Sequence, residues 1–192
     1  NRVKTLTDTL SSNISHIQEL EKQTALEKAK ARMDLEKITA LKDSLLGEWQ
    51  AFKNRNQTQL KSEDRLSSGA VAQNTLEEIA SFERKIQENL PEINFFSTQA
   101  KAIEDSLNGL IRQSLDLKPV LGEEILTLDL SLTSLLKEIH DTQMNLAERQ
   151  QKMEGLLKTA QDAKNRLLQE AKDKAEASDR LAKAELKNQE EA

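Results

Sequence analysis

The stretch IASFERKIQENLPEINFFSTQAKAIEDSLNGL, residues 79–110, decides the fold. Its apolar residues recur at alternating steps of three and four, the spacing of one face of a long α-helix in a helical bundle or coiled coil. Such a helix needs partner helices to cover its apolar face in water. The residues on this face are Ile79, Phe82, Ile86, Ile93, Phe96, Ala100, Ile103, Leu107 and Leu110.

The composition also favours helices. Of the 192 residues, 32% are charged and 3% are aromatic, and the chain has two prolines, no cysteine and no tyrosine. Strands would require more β-branched and aromatic residues. The net charge of −5 comes from charges of mixed sign along the chain, which argues against general binding of nucleic acid or anionic membranes. No apolar run approaches the about 18 residues of a membrane span.

Three helices are predicted, over about residues 3–62, 71–115 and 123–190. The segment KSEDRLSSG, residues 61–69, has the composition of a turn and is predicted to be the first loop. The segment DLKPVLG, residues 116–122, is predicted to be the second. Short loops make consecutive helices antiparallel. The sequence therefore predicts an all-α fold, an elongated antiparallel three-helix bundle with overhanging terminal helices.

Pro91 interrupts the predicted second helix. A proline inside a helix removes a backbone hydrogen bond and bends the axis. We therefore expect a kink near Asn89, with the Asn89 side chain capping a restart of the helix at Pro91. Asn89 also occupies a core heptad position, where a polar side chain lowers stability and fixes the register of the helices.

The first helix carries two apolar sets. Residues 3–20 carry one set, and residues 35–52 carry another, displaced by four residues from a continuous seven-residue repeat, which predicts a junction between two bundle segments. Helix lengths place residues before about Ile17 and after about Leu168 beyond opposite ends of the bundle. The predicted domains are residues 1–20, a helix continuing from a preceding repeat; residues 21–168, the bundle; and residues 169–192, an overhanging helix that leads into a following repeat.

The predicted core collects the apolar heptad positions of all three helices. Trp49 is assigned to this core rather than to an exposed protein interface. The predicted core residues are Leu35, Ile38, Leu45, Trp49, Phe52, Ile79, Phe82, Ile86, Ile93, Phe96, Ala100, Ile103, Leu107, Leu128, Leu132, Leu135, Ile139, Leu146, Met153 and Leu156.

The middle helix resembles the second helix of a spectrin repeat. The family spaces a phenylalanine, two aliphatic residues, a large apolar residue, an alanine and an aliphatic residue at steps of four, seven, three, four and three, and also has a core tryptophan in its first helix. The resemblance covers about residues 35–163. The chain departs from the family in having Leu135 and Ile139 where many members have a second tryptophan. The matching residues are Trp49, Phe82, Ile86, Ile93, Phe96, Ala100 and Ile103.

The resemblance implies a non-catalytic role. It suggests a divergent repeat of a nesprin-, plakin- or dystrophin-type linker, serving as a rod-like spacer and protein-docking module in the cytoplasm, at the cytoskeleton or the cytoplasmic face of the nuclear envelope. Expected partners are proteins, either cytoskeletal or neighbouring repeats, without nucleic acid or direct membrane insertion. The chain by itself is expected to be monomeric. The alternative is a coiled-coil tether or adaptor module that dimerises or assembles with partner helices.

No catalytic residue, cofactor or metal site is predicted, and the chain is not expected to be an enzyme. The chain has only two histidines, and His140 is expected on a charged helix flank rather than at a metal. Two residues are candidates for partner contacts. Phe95 lies outside the apolar stripe and either contacts a partner or widens the core face. Arg149 occupies a core position and either extends to an acidic side chain or binds a partner.

Overall fold

The computed structural model describes residues 1–69 and 74–191. Apart from Asn1, Asn74 and Thr75, all of these residues are helical, and the described part of the chain contains no strand. The all-α prediction is therefore confirmed. The helices are α1 (Arg2–Gly69), α2 (Leu76–Leu121), a short 3-10 helix (Gly122–Ile125) and α3 (Leu126–Glu191).

The first connection lies later in the chain than the sequence predicts. Residues 61–69, predicted to be a loop, are the last turns of α1. The Ser67 hydroxyl donates to the carbonyl oxygen of Glu63, four residues earlier, at 3.2 Å, a hydrogen bond that helices accommodate. Leu66 is buried and lies two steps of seven after Phe52 on the same line of α1, with Gln59 between them. The loop prediction is wrong because burial of this face outweighs the turn composition of the segment.

α2 begins with a capping arrangement. The Thr75 hydroxyl accepts a hydrogen bond from the backbone N–H of Glu78 at 3.2 Å. The Glu78 carboxylate in turn accepts one from the backbone N–H of Asn74 at 2.8 Å. Reciprocal contacts of this kind satisfy donors left open at a helix N-terminus. The helix therefore starts at Leu76, and Val71, where the sequence predicts its start, lies outside the described residues.

The second connection is shorter than predicted. α2 continues through Pro119 to Leu121, and the 3-10 helix follows at once, so most of the predicted loop over residues 116–122 is helical. Gly122 has a φ of 56°, a conformation that glycine adopts without the steric cost other residues incur. Leu121 and Ile125 are buried on either side of this glycine. This single residue in the left-handed conformation, placed between two buried residues, ends α2.

α2 is unbroken at Pro91. Asn89, predicted to cap a restart there, is itself helical, and its side-chain amide donates to the carbonyl oxygen of Lys85 at 2.7 Å. Its Oδ1 accepts hydrogen bonds from Gln59 at 2.5 Å and from Ser62 at 3.4 Å, both on α1. The restart prediction is wrong because the Asn89 side chain is already bonded to its own preceding turn and to the neighbouring helix.

Internal contacts divide the chain into two compact units. Unit 1 comprises Asn1–Ala51 with Ala100–Asp141, and unit 2 comprises Phe52–Gln99 with Thr142–Ala192. Each unit therefore contains a part of α1, a part of α2 and a part of α3.

In unit 1, α1 and α2 run antiparallel. Leu41 and Leu45 share a groove with Leu110, whereas Ile38, earlier in α1, shares one with Leu117, later in α2. All three helices contribute to the core of the unit. Its buried apolar residues are Ala31, Ile38, Leu45, Trp49, Ala100, Ile103, Leu107, Leu110, Leu121, Ile125, Leu128, Leu132, Leu135 and Ile139.

In unit 2, the contacts give the same relative direction of α1 and α2. Phe52 meets Phe96 edge to face, with ring centroids 5.5 Å apart, and Gln59, later in α1, bonds Asn89, earlier in α2. Edge-to-face rings are a favourable aromatic geometry. The buried apolar residues of unit 2 are Phe52, Leu66, Ile79, Phe82, Ile86, Ile93, Phe96, Leu146, Met153 and Ala160.

Every predicted core residue is buried except Leu35 and Leu156, which are half-buried. Leu35 lies one turn after Ala31, the first buried residue of α1 in the described chain. Leu156 lies one turn before Ala160, the last buried residue of α3. Both residues are therefore near the limits of the packed region of their helices, where the apolar stripe is only partly covered.

The exposed N-terminal part of α1 is longer than predicted. Side chains are exposed from residue 1 to residue 30, whereas the sequence predicts an overhang that ends at about Ile17. Arg32 forms an ion pair with Glu124, next to the start of α3. The prediction is wrong in length because α1 ends at Gly69 rather than near residue 62 and α2 starts at Leu76, which moves the turn before α3 further along α1.

Candidate interaction sites

A charged cluster lies inside unit 2, between α1 and α3. Arg149 is 5% exposed and Glu63 is 2% exposed. The Arg149 guanidinium donates two hydrogen bonds to the Glu63 carboxylate, from Nε at 2.9 Å and from Nη2, and Nη1 donates to Asn56 Oδ1 at 2.6 Å. A two-pronged pair with a further hydrogen bond is the arrangement in which buried charges are tolerated. Arg149 is therefore bonded within the chain, to an acidic side chain, and is not available for a partner contact.

The sequence contained a signal for this cluster. Asn56 and Glu63 follow Trp49 at successive steps of seven, so both stand at the core heptad position that Trp49 occupies. Polar residues at that position indicate a polar layer in the core. The loop predicted over residues 61–69 concealed the signal, because it ended the heptad before Glu63.

A second polar layer surrounds Asn89 in the same unit. Asn89 is 9% exposed and links the backbone of α2 to the side chains of Gln59 and Ser62 on α1. Buried polar layers favour one helix register, because any shift would leave their groups without hydrogen bonds. In unit 2, the two layers therefore constrain how α1 packs on its neighbours.

An arginine–glutamate ion pair and a histidine–glutamate contact link helices at the surface of unit 1. Arg32 donates to both carboxylate oxygens of Glu124, at 3.1 and 3.0 Å, joining α1 to the 3-10 helix before α3. His140 Nε2 lies 3.1 Å from a carboxylate oxygen of Glu104, joining α3 to α2. The His140 side chain is half exposed. Its ring therefore lies on a charged helix flank, as the sequence predicts.

The Arg32–Glu124 contact gives a test by titration. The hydrogen bonds from Arg32 hold the pKa of Glu124 below its ordinary value, and the positive charges of Arg32 and Lys28 add to this. The carboxylate form is thus favoured in the folded chain, so the contact stabilises the fold above the unfolded-state pKa and is lost as the pH falls through the folded-state pKa. We expect the NMR titration of Glu124 to show a lowered midpoint that rises in Arg32→Gln. An unchanged midpoint in that variant would refute the contact.

Phe95 does not widen the core. Its side chain is 54% exposed, and its ring lies 6.1 Å from that of Phe96, at an interplanar angle of 57°. The neighbouring Phe96 is buried. Of the two interpretations from the sequence, core widening is wrong, and contact with a partner stays a prediction.

An apolar stripe is exposed on the N-terminal part of α1. We call the six residues Val3, Leu6, Leu10, Ile14, Ile17 and Leu20 the N-terminal stripe; their exposures range from 73% at Val3 to 47% at Ile14. Val3, Leu10 and Ile17 stand at steps of seven, and the same spacing reaches the buried Ala31 after the polar, exposed Thr24. The stripe therefore continues, without cover, a line of side chains that is buried later in unit 1.

A cavity of about 440 Å³ lies between α1 and α2 in unit 2. Its lining combines the carboxylates of Glu77 and Glu78 with the cations of Arg65 and Lys85. Because opposite charges alternate around it, its lining favours neither an anion nor a cation. Within residues 1–69 and 74–191, no group of three or more histidine, cysteine, aspartate or glutamate side chains is placed to hold a metal ion. In the same residues, no helix has both the length and the apolar character needed to cross a bilayer.

Comparison with known proteins gives no match: no protein-family model, curated protein or solved structure is similar to this chain.

Proposed function

We propose that this chain is a non-catalytic structural segment that acts as a spacer and protein-docking module. In this proposal it is an antiparallel three-helix bundle of the spectrin-repeat type, within a cytoplasmic linker of the cytoskeleton or the nuclear envelope. The observation that supports the proposal most is that each unit buries apolar residues from all three helices within one chain. A core of this kind allows a folded segment to resist extension without a second subunit.

The packing observed in each unit gives the proposal a physical basis. In unit 2, α1 is held by aromatic contact with α2 and by the Arg149 cluster with α3. In unit 1, the Arg32–Glu124 ion pair and the contact between Glu104 and His140 link helices beside the apolar core. Side chains from different helices must separate together when such a unit opens, and this predicts discrete unfolding events under load.

Single-molecule pulling from the two ends of the chain tests the spacer role. We expect the folded chain to lengthen in abrupt steps at low force and to recover its length when the force is released. The Ile93→Asp variant, which places a charge in the core, should lengthen smoothly without those steps. Smooth extension of the unaltered chain would contradict the proposal, because it would mean that no cooperative bundle opposes the load.

The second candidate function is a coiled-coil tether or adaptor that dimerises or assembles with partner helices. The exposed N-terminal stripe favours this candidate. Six large apolar residues on one part of a helix are more than the isolated exposed apolar residues found on most protein surfaces. A tether would use this stripe to bind another helix while the rest of each unit keeps its own core.

A further inference from the structure

We infer that the N-terminal stripe binds the same stripe of a second copy of this chain, as an antiparallel pair of helices. This inference deepens the second candidate function by naming the partner and the geometry. It concerns residues 1–22, all of which are exposed. The spacer role depends instead on the cores of the two units, so either proposal can fail while the other stands.

The N-terminal stripe lies on a line of α1 side chains that is packed against other helices from Ala31 onward. Val3, Leu10 and Ile17 lie on a line of α1 that continues at steps of seven through the polar Thr24 to Ala31 and Ile38. Beyond Ala31 this line is covered by residues of α2 and α3, whereas before it the line is exposed. The apolar part of this line before Ala31, within residues 1–22, therefore lacks in the described chain the cover that the line has from Ala31 onward.

The arrangement of apolar residues suits antiparallel pairing. If two copies are centred between Ser11 and Ser12, Val3 of one lies opposite Leu20 of the other, and Leu6 lies opposite Ile17. Each apolar residue of these layers then meets an apolar residue, as in the seam of a coiled coil. Leu10 meets Asn13 at the centre, where a polar side chain in the seam favours one register.

Charge complementarity selects the antiparallel direction. Arg2 and Glu19 lie on one flank of the stripe, and Lys4 and Glu21 lie on the other. In the antiparallel pair, matching flanks meet end to end, so Arg2 approaches Glu19 of the second copy and Lys4 approaches Glu21. In a parallel, in-register pair, opposite flanks would meet instead, so Arg2 would approach Lys4 of the second copy and Glu19 would approach Glu21, and both contacts join charges of equal sign.

The position of the turn between α2 and α3 also favours the antiparallel direction. Arg32 contacts Glu124 beside this turn, and the adjacent Ala31 is buried. A parallel, in-register pair would bring the turns of both copies to one level on facing sides, where they would compete for space. The antiparallel pair places the two turns outside the overlapping residues, at opposite ends. The position of the turns therefore permits the antiparallel pair and produces steric crowding in the parallel pair.

Sedimentation equilibrium of the full chain tests self-association. Six layers of side chains form a weak interface. We therefore expect the chain to be monomeric at low protein concentration and to become dimeric as the concentration rises about a hundred-fold. The double variant Leu6→Asp with Ile17→Asp should weaken association by about a hundred-fold or more. Leu181→Asp with Leu186→Asp is the matched control, since these leucines are exposed to a similar extent at 67% and 60%, and it should associate normally. Circular dichroism checks that all three proteins keep their helices, because every altered residue is exposed.

Disulfide trapping tests the direction, and the absence of native cysteine makes it specific. We expect a mixture of Val3→Cys and Leu20→Cys chains to form the mixed disulfide on oxidation, with little disulfide in either protein alone. Disulfide formation in Val3→Cys alone would overturn the antiparallel pairing. A chain that stays monomeric at all concentrations, or a dimer unaffected by the Leu6 and Ile17 changes, would overturn the inference altogether.

Discussion

Replacing Ile93 by aspartate is expected to unfold unit 2. Ile93 is fully buried on the apolar stripe of α2. A carboxylate there would lose its hydration without gaining a cation, at a cost of several kcal/mol, against a typical domain stability of about 5–15 kcal/mol. Circular dichroism during thermal unfolding is the measurement, and we expect either a large fall in the unfolding midpoint or no cooperative transition.

Asn94→Asp is the matched control for this experiment. It places the same carboxylate one residue along α2, on an exposed position, and the two residue types have similar helix propensity. We expect its unfolding curve to match that of the unaltered chain. If Ile93→Asp behaved like this control, the assignment of the α2 stripe to the core would be wrong.

Removal of the Glu63 carboxylate is expected to have the second-largest effect. Glu63→Ala leaves the Arg149 guanidinium buried with only Asn56 as a partner. Breaking a buried pair in this way costs roughly 3–5 kcal/mol, because the remaining charge is uncompensated. Denaturant titration should show a lower midpoint with little change in slope, the sign of reduced stability in an otherwise similar fold.

Two further variants show whether burial of the pair causes that loss of stability. Glu63→Leu combined with Arg149→Met replaces the pair by apolar side chains, and we expect it to recover most or all of the stability, since a buried pair contributes little net stabilisation. Arg32→Ala breaks an exposed arginine–glutamate pair between α1 and the 3-10 helix, and it should shift the midpoint far less. If Glu63→Ala and Arg32→Ala lowered the free energy of unfolding equally, this account would be contradicted. Burial of Glu63 and Arg149 would then not increase the cost of breaking their pair.

The apolar periodicity predicted most of what is buried. Residues such as Ile79, Ile86 and Ile93 stand at steps of seven, and a helix places them on one line regardless of what packs against it. The sequence could therefore predict the buried faces of all three helices. It could not predict how completely each end is covered, and Leu35 is only half-buried for that reason.

The connections are harder to predict from the sequence, because the composition of a turn carries no information about tertiary packing. Ser67 and Gly69 have the residue types of a turn, but Leu66 and Glu63 beside them are buried, and α1 continues through all four. Pro119 likewise suggested a break that the helix does not make. Residue types at helix ends therefore compete with tertiary burial, which here prevails.

The polar sites depended on partners from distant parts of the chain. The position of Arg149 in the α3 heptad was evident from the sequence, but its partner Glu63 is 86 residues away and fell within a predicted loop. The apolar character of the N-terminal stripe was also evident. The full exposure of the stripe was not evident from the sequence. It depends on the level along α1 at which α2 ends, and this level depends on the exact length of α1.

The central claim is that the apolar faces of the three helices pack against one another within a single chain. The contact between Phe52 of α1 and Phe96 of α2, at 5.5 Å between ring centroids, is a direct probe of it. Isotope-filtered NMR on a mixture of labelled and unlabelled chains distinguishes contacts within a chain from contacts between chains. We predict a strong Phe52–Phe96 cross-peak in uniformly labelled protein and none in the filtered spectrum of the mixture. A filtered cross-peak between these rings would contradict the account, because it would show that a second chain supplies the contact.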